Sequence, residues 1–179
     1  RAKSTTRFPA EFMLVAAFNP CPCGYRGDPR RECQCTPPQV EKYMGKISGP
    51  LLDRIDIQLE VPAVPYRDLS GTRQGTSSAQ MRDFVYAARQ RQAERFVGLA
   101  TRVNARMTSR QLREFCPLES AAGEMLKNAV TSLGLSARAH DKVLRVSRTI
   151  ADLDASDTIR CPHLAEAINY RLLDRSLWS

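Results

Sequence analysis

Two pairs of cysteines carry the sharpest chemical signal in this sequence. Cys21-Pro22-Cys23-Gly24 and Cys33-Gln34-Cys35 stand at the two ends of a loop, residues 24–32, rich in glycine, proline, aspartate and arginine. Such a loop has almost no apolar material to hold it in shape. Four thiolates around one tetrahedral zinc would supply the missing cross-link, with Arg26, Arg30 and Arg31 partly offsetting the site's negative charge. Four cysteines leave no open coordination position, so a zinc here is expected to be structural rather than catalytic. Cys-x-Cys is less diagnostic than Cys-x-x-Cys, and free thiols or a redox pair stand as the alternative. The remaining two of the six cysteines, Cys116 and Cys161, are isolated and read as ordinary buried thiols. His140 and His163 have no partner at a metal-binding spacing and read as surface residues.

The elements around the cysteines must position them. Residues 11–18 (EFMLVAAF) form a nearly unbroken apolar run, the pattern of a strand buried on both faces of a mostly parallel sheet. Asn19-Pro20 ends it, which places Asn19 at the carboxyl end of a buried strand, where open α/β sheets bind ligands. A hairpin over 20–36 would hold the cysteines. Thr36 followed by Pro37 starts a short helix, with Glu41 in reach of its first turns, and Gly45 and Gly49-Pro50 end it. Residues 49–54 make a turn or short helix that sets Arg54 beside the sheet. Residues 55–61 (IDIQLEV) alternate apolar and polar side chains up to Pro62, the pattern of a second strand nearer an edge. Ahead of all this, residues 1–9 are basic. A strand there would put Arg1, Lys3 and Arg7 on one face, as a solvated edge or, less expectedly, a nucleic-acid contact. The start at Arg1 suggests a segment excised from a longer protein.

From Pro62 to Ser77 the composition turns to proline, glycine, serine, threonine and arginine, which marks a domain boundary, with a linker over 67–76. Beyond it only helical patterns follow. One runs over 77–97 with Met81, Phe84, Val85, Ala88 and Phe96 on its apolar side. A short one covers 109–115 up to Pro117, and another covers 118–133 with Gly134 as its stop. Ser136 caps a helix whose buried side holds Ala139, Val143, Val146, Ile150 and Leu153. The last covers 163–173 behind Pro162. Arg138 sits in the first turn of the Ser136-capped helix, where the macrodipole disfavours a cation by about a few tenths of a kcal/mol. Arg145 lies about two turns on, so both read as one basic face away from the apolar stripe.

Composition limits the function. With 179 residues and 42% hydrophobics, the chain can bury one core or two small ones and is neither disordered nor membrane-spanning. It has no long apolar segment and no secretory leader pattern, so six cysteines point to thiols or metal in a reducing, cytoplasmic setting. A net charge of +8 favours a polyanionic partner such as nucleic acid, although many basic proteins bind none.

Taken together and in order, FPAEFMLVAAFNPCPCG, the second cysteine pair, SGPLLDRIDIQLEVP and LSARAHDKVLRVSRTIADL resemble the carboxyl-terminal part of Mg-chelatase-like AAA+ ATPases of the competence (ComM/YifB) group. The resemblance implies an α/β plus all-α fold. Residues 1–66 would be the end of an AAA+ α/β core with its cysteine hairpin, and residues 77–179 a helical lid. It implies that Asn19 is similar to the sensor-1 residue, Arg54 to the arginine finger and Arg138 to the nucleotide-contacting sensor-2 arginine. It also implies ATP and Mg²⁺ as cofactors, a self-assembled ring, a hexamer, and DNA as the partner of a motor or helicase in transformation or recombination. No G-x-x-x-x-G-K-[ST] and no apolar run ending in Asp-Glu occurs in the chain, so the resemblance puts these upstream of Arg1, and the segment alone is expected to be inactive. Two other readings stand beside it. One is a non-enzymatic, zinc-stapled basic module that binds nucleic acid or protein. The other, a tetrapyrrole Mg-chelatase ATPase subunit, is disfavoured because the cysteine hairpin resembles only the competence group.

Overall fold

The computed structural model describes residues 5–64, 66 and 75–171. The chain forms two compact units, Arg1–Lys46 and Ile47–Ser179. The first unit holds the cysteine loop and α1 (Pro37–Met44). The second holds α2 (Gly49–Arg54), α3 (Ser78–Arg95), α4 (Ser109–Phe115), α5 (Ser120–Leu133), α6 (Ala137–Leu153) and α7 (Cys161–Asn169), with a 3₁₀ turn at Asn104–Arg106. Residues 47–61 thus belong with the helices. The expected linker lies mostly outside the described residues.

The helices begin where local chemistry dictates. A Ser/Thr-x-x-Gln box opens three of them: the backbone N–H of Thr36, Ser77 and Thr108 each donates to the glutamine three residues on, Gln39, Gln80 and Gln111, at 2.9 Å. In α1 the partner is therefore Gln39, not Glu41. The Ser136 hydroxyl accepts from the Ala139 amide at 3.1 Å, as its capping role requires. Gly134 closes α5 at φ 57°, a left-handed conformation open to glycine at no steric cost.

Helix α6 is the axis of the helical unit, packing against α3, α4, α7 and the 3₁₀ turn, while α5 packs on α7. Phe96, Met107, Leu112, Leu126, Val143, Ile159 and Leu164 form the centre of the core. Phe96 meets Phe115 edge-on, with ring centroids 5.6 Å apart. Pro117 and Glu119 bracket Ile159 through backbone hydrogen bonds of 2.9 and 3.0 Å, which tie the start of α5 to the start of α7. The buried face of α6 is wider than the expected stripe: it includes Lys142, Ser147, Arg148 and Asp152, whereas Leu153 is exposed. Helix α3 buries only Ala88 and Gln92, so Met81, Phe84 and Val85 face solvent.

Two expectations are corrected here. No β-strand occurs among the described residues, so the two expected strands are absent as strands and the α/β half of the fold is not formed within them. Residues 11–18 make no ladder, and Met13 and Val15 are 88% and 84% exposed. In 55–61 the alternation is inverted: Gln58 is buried while Ile57, Leu59 and Val61 face out. The reason is physical. A strand exists only by exchanging backbone hydrogen bonds with a neighbour, and none of the described residues offers one. Segment 55–61 instead follows its polar residue, since the Gln58 amide donates to the Tyr170 carbonyl at 3.0 Å and its side chain to the Leu52 carbonyl at 3.1 Å. His163, expected at the surface, is 4% exposed, because its ring closes the start of α7. Its Nδ1 accepts from the Arg160 amide at 3.1 Å, and Nε2 meets the Asp154 carboxylate at 3.0 Å.

Candidate metal centre and arginine cluster

The four predicted cysteines converge. Their sulfur atoms all lie within 4.8 Å of one another. Cys21 to Cys23 is 3.4 Å, and Cys33 lies 3.7 Å from each. A disulfide would bring two sulfurs to about 2 Å, and a tetrahedron with Zn–S bonds of about 2.3 Å separates them by about 3.8 Å. The cluster has the second spacing, and all four cysteines are free. Tight turns create it: the Gly24 amide returns to the Cys21 carbonyl at 3.1 Å, with Gly24 at φ 85°. The Cys23 amide donates to the Cys35 sulfur at 3.4 Å, which joins the two pairs.

Backbone amides, rather than the arginines, do the first share of charge stabilisation. Donation from the Tyr25 amide brings the Cys23 thiol down to about 6. At Cys35 the Cys23 amide also favours the thiolate, but burial and the neighbouring thiols outweigh it and push the group up to about 12. Sulfurs this close cannot all ionise unless a cation neutralises them. The donor set therefore fits one structural zinc held by Cys21, Cys23, Cys33 and Cys35, with no ligand position left for chemistry. Arg31 is engaged elsewhere: it donates to the Tyr25 hydroxyl at 2.7 Å and lies over that ring. Cys116 is a buried thiol pushed up to about 11 by burial, and Cys161, half-buried, opens α7.

The other predicted site residues fall in two places. Asn19 is exposed at the entry to the cysteine turn, its amide beside Gly24. Arg7 is exposed, and Lys3 lies outside the described residues. Arg54 ends α2, exposed, with its guanidinium donating to the Pro50 carbonyl of its own helix at 2.8 Å. Arg138, in the first turn of α6, has a side chain 57% exposed and sits 3.6 Å from the Asp53 carboxylate. Asp53 is the residue before Arg54. The structure thus brings Arg54 and Arg138, distant in sequence, to the same end of α2. Arg145 departs from the expected solvated face: it is half-buried and donates to the Met107 carbonyl at 2.8 Å.

The sequence profile of the magnesium chelatase subunit ChlI C-terminal region matches residues 75–171, and that of magnesium chelatase subunit ChlI matches residues 1–69. The chain belongs to the magnesium chelatase ChlI family. Within it, the chain is 45% identical to the uncharacterized protein YifB of Escherichia coli and 43% identical to the competence protein ComM of Haemophilus influenzae. Each alignment covers 99% of this chain and 34% of the relative. An uncharacterized Mycobacterium tuberculosis protein is 36% identical over 92% of the chain and 32% of its own length. The chain spans about a third of the length of these curated relatives.

Two polar clusters in this ChlI-family chain escaped the sequence reading. One surrounds the end of α2: the Lys142 ammonium meets the Arg54 carbonyl and, at 2.7 Å, the Asp56 carboxylate. Arg171 meets the Ile55 carbonyl and, at 3.4 Å, the Asp53 carboxylate. The other lies in the core, where Asp152 receives Arg95 and Asn104 at 2.7 Å and Arg148 at 3.2 Å. A signal for the first was present, since Lys142 lies one helical turn beyond Arg138 on the same face of α6. No helix in the described residues is long and apolar enough to cross a membrane.

Proposed function

We propose that this chain works as the carboxyl-terminal part of a longer AAA+ ATPase of the ComM kind, a ring-forming, cytoplasmic motor that moves or remodels DNA. In this reading residues 11–18 and 55–61 complete an α/β core with strands from elsewhere in the longer protein. That accounts for the large apolar side chains exposed along each segment, Phe12, Met13, Leu14, Val15 and Phe18 in the first and Ile57, Leu59 and Val61 in the second. Zinc in the four-cysteine centre holds the hairpin, and ATP with Mg²⁺ binds at the P-loop outside this segment.

One observation carries the reading: two exposed arginines from separate motifs lie at the end of α2, Arg138 pairing with Asp53 and the next residue, Arg54, held only to the Pro50 carbonyl of its own helix. Phosphoryl transfer needs that kind of resource. Charge builds on the γ-phosphoryl oxygens, and an arginine supplied across a subunit boundary is worth roughly 10³–10⁵ in rate. Arg54 would act on the neighbouring subunit's nucleotide, Arg138 on the helical lid would close over the phosphates, and Asn19 would orient the attacking water. The test is ATPase activity of the full-length protein with and without DNA. Arg54→Ala should be inactive alone, and mixing it with a subunit whose P-loop lysine is replaced should restore turnover. Full activity of Arg54→Ala would overturn the arginine-finger role.

That outcome would favour the second reading, a zinc-stapled module that binds single-stranded nucleic acid. Its support is a cleft of about 540 Å³ beside the cysteine centre, where Lys42, Lys46 and Tyr43 of α1 and its end stand opposite Gln34 and Cys35. Lysines for phosphates and an aromatic ring for a base are the elements of such a surface.

A further inference from the structure

Helix α2 is short, and its last carbonyls have no partner within the helix. The chain then turns directly into an extended segment, with Ile55 at ψ 134°. Left to solvent, this end would fray and Arg54 would wander with it. Two buried cations prevent that. The side chain of Lys142 is 11% exposed and its ammonium is held by the Arg54 carbonyl and the Asp56 carboxylate. Arg171, 2% exposed, spans the Ile55 carbonyl and Asp53. Cations at a helix carboxyl end satisfy both the orphan carbonyls and the negative end of the dipole. Gln58 adds a third fastening through the Tyr170 carbonyl. Arg138 is different in kind, because its pair with Asp53 is exposed, 3.6 Å long and easily exchanged for another anion.

We propose that Lys142 is a positioning residue for Arg54, and that its grip makes the α6 face carrying Arg138 and the turn carrying Arg54 move as one body. The inference rests on the arginine-finger reading above and names the contact that holds the finger's backbone in place: Lys142, one turn along α6 from Arg138, grips the Arg54 carbonyl and the Asp56 carboxylate.

The experiment measures steady-state ATP hydrolysis by full-length rings of wild type, Arg54→Ala, Lys142→Met and Asp56→Asn, each alone and mixed with the P-loop variant. Lys142→Met keeps the buried stem and deletes only the ammonium. Misplacing a catalytic group by about an ångström costs up to about a hundredfold, so kcat should fall about ten- to a hundredfold. KM for ATP should stay within about twofold, because the variant's own binding site is untouched. Mixing should restore turnover, since the P-loop variant brings an intact, anchored finger. Loss of activity that mixing does not restore would mean that Lys142 serves its own subunit's site or fold, and would overturn the proposal. Unchanged kcat in Lys142→Met, with Arg54→Ala inactive alone and restored by mixing, would overturn it while leaving the finger role intact. Full activity of Arg54→Ala would remove both. If Lys142→Met does not fold, the exposed Asp56→Asn decides: a severalfold loss restored by mixing supports the anchor, and no loss refutes it.

Discussion

The cysteine unit and the helical unit solve the same problem by different physics. In Arg1–Lys46 the described buried side chains are Cys21, Val40 and Met44, too few to order a loop. Its shape depends on four sulfurs drawn to one point. In Ile47–Ser179 an apolar core is threaded by buried ion pairs, and the starts of α2, α3, α4 and α6 carry side-chain caps. Where little apolar surface can be removed from water, a metal held by these four sulfurs would supply the cross-link that hydrophobic burial supplies elsewhere. Zinc binding is worth about 10–16 kcal/mol to small zinc-dependent domains.

This contrast is open to direct attack, and the largest effect should come from metal removal. Purified without chelator, the protein should carry close to one zinc per chain. A strong chelator should then open the cysteine loop to trypsin after Arg26, Arg30 and Arg31 while helical circular dichroism holds. A loop that resists cleavage without zinc would erase the distinction between the units. Next in size is the core ion network. Asp152 is fully buried between Arg95 and Arg148, so Asp152→Ala leaves two uncompensated guanidinia and should cost about 3–5 kcal/mol in urea unfolding. A loss below about 1 kcal/mol would mean that water reaches and compensates those cations.

The smallest effect is a pH dependence confined to the helical unit. The hydrogen bond from His163, with Arg160 beside it, holds the Asp154 carboxyl below its ordinary value of 3.8. A carboxylate depressed in the folded state adds stability that is present above about pH 4 and is lost as pH falls through the folded value. Asp154→Asn should therefore lower the melting temperature slightly at neutral pH, with the two proteins converging in acid. A constant gap across the whole range would assign the effect to packing instead.

Much of this molecule was legible because the deciding interactions are local. Thr36 and Ser136 mark helix starts, Gly134 marks a stop, and the helices follow within a few residues. The four cysteines are close in sequence, so their convergence needed only two tight turns. Arg54 and Arg138 were singled out by their motifs, but nothing in those motifs brought Arg138 to Asp53, the residue before Arg54. His163 was misread because its partner, Asp154, sits beyond the preceding turn, and Arg145 because the Met107 carbonyl reaches it from a distant loop.

What the sequence determined by itself is therefore where the helices run, their starts at Thr36 and Ser136, the stop at Gly134 and the four-cysteine cluster, since these depend on neighbours a few residues away. The tertiary structure decided the rest. It turned Gln58 inward against an apolar alternation, because Tyr170 and Leu52 offer carbonyls that only the folded chain brings there. It left residues 11–18 without a ladder, because a strand cannot exist without a second one. And it carried Lys142 and Arg171 to the end of α2, because orphan carbonyls and a carboxylate there are the partners that two buried cations require.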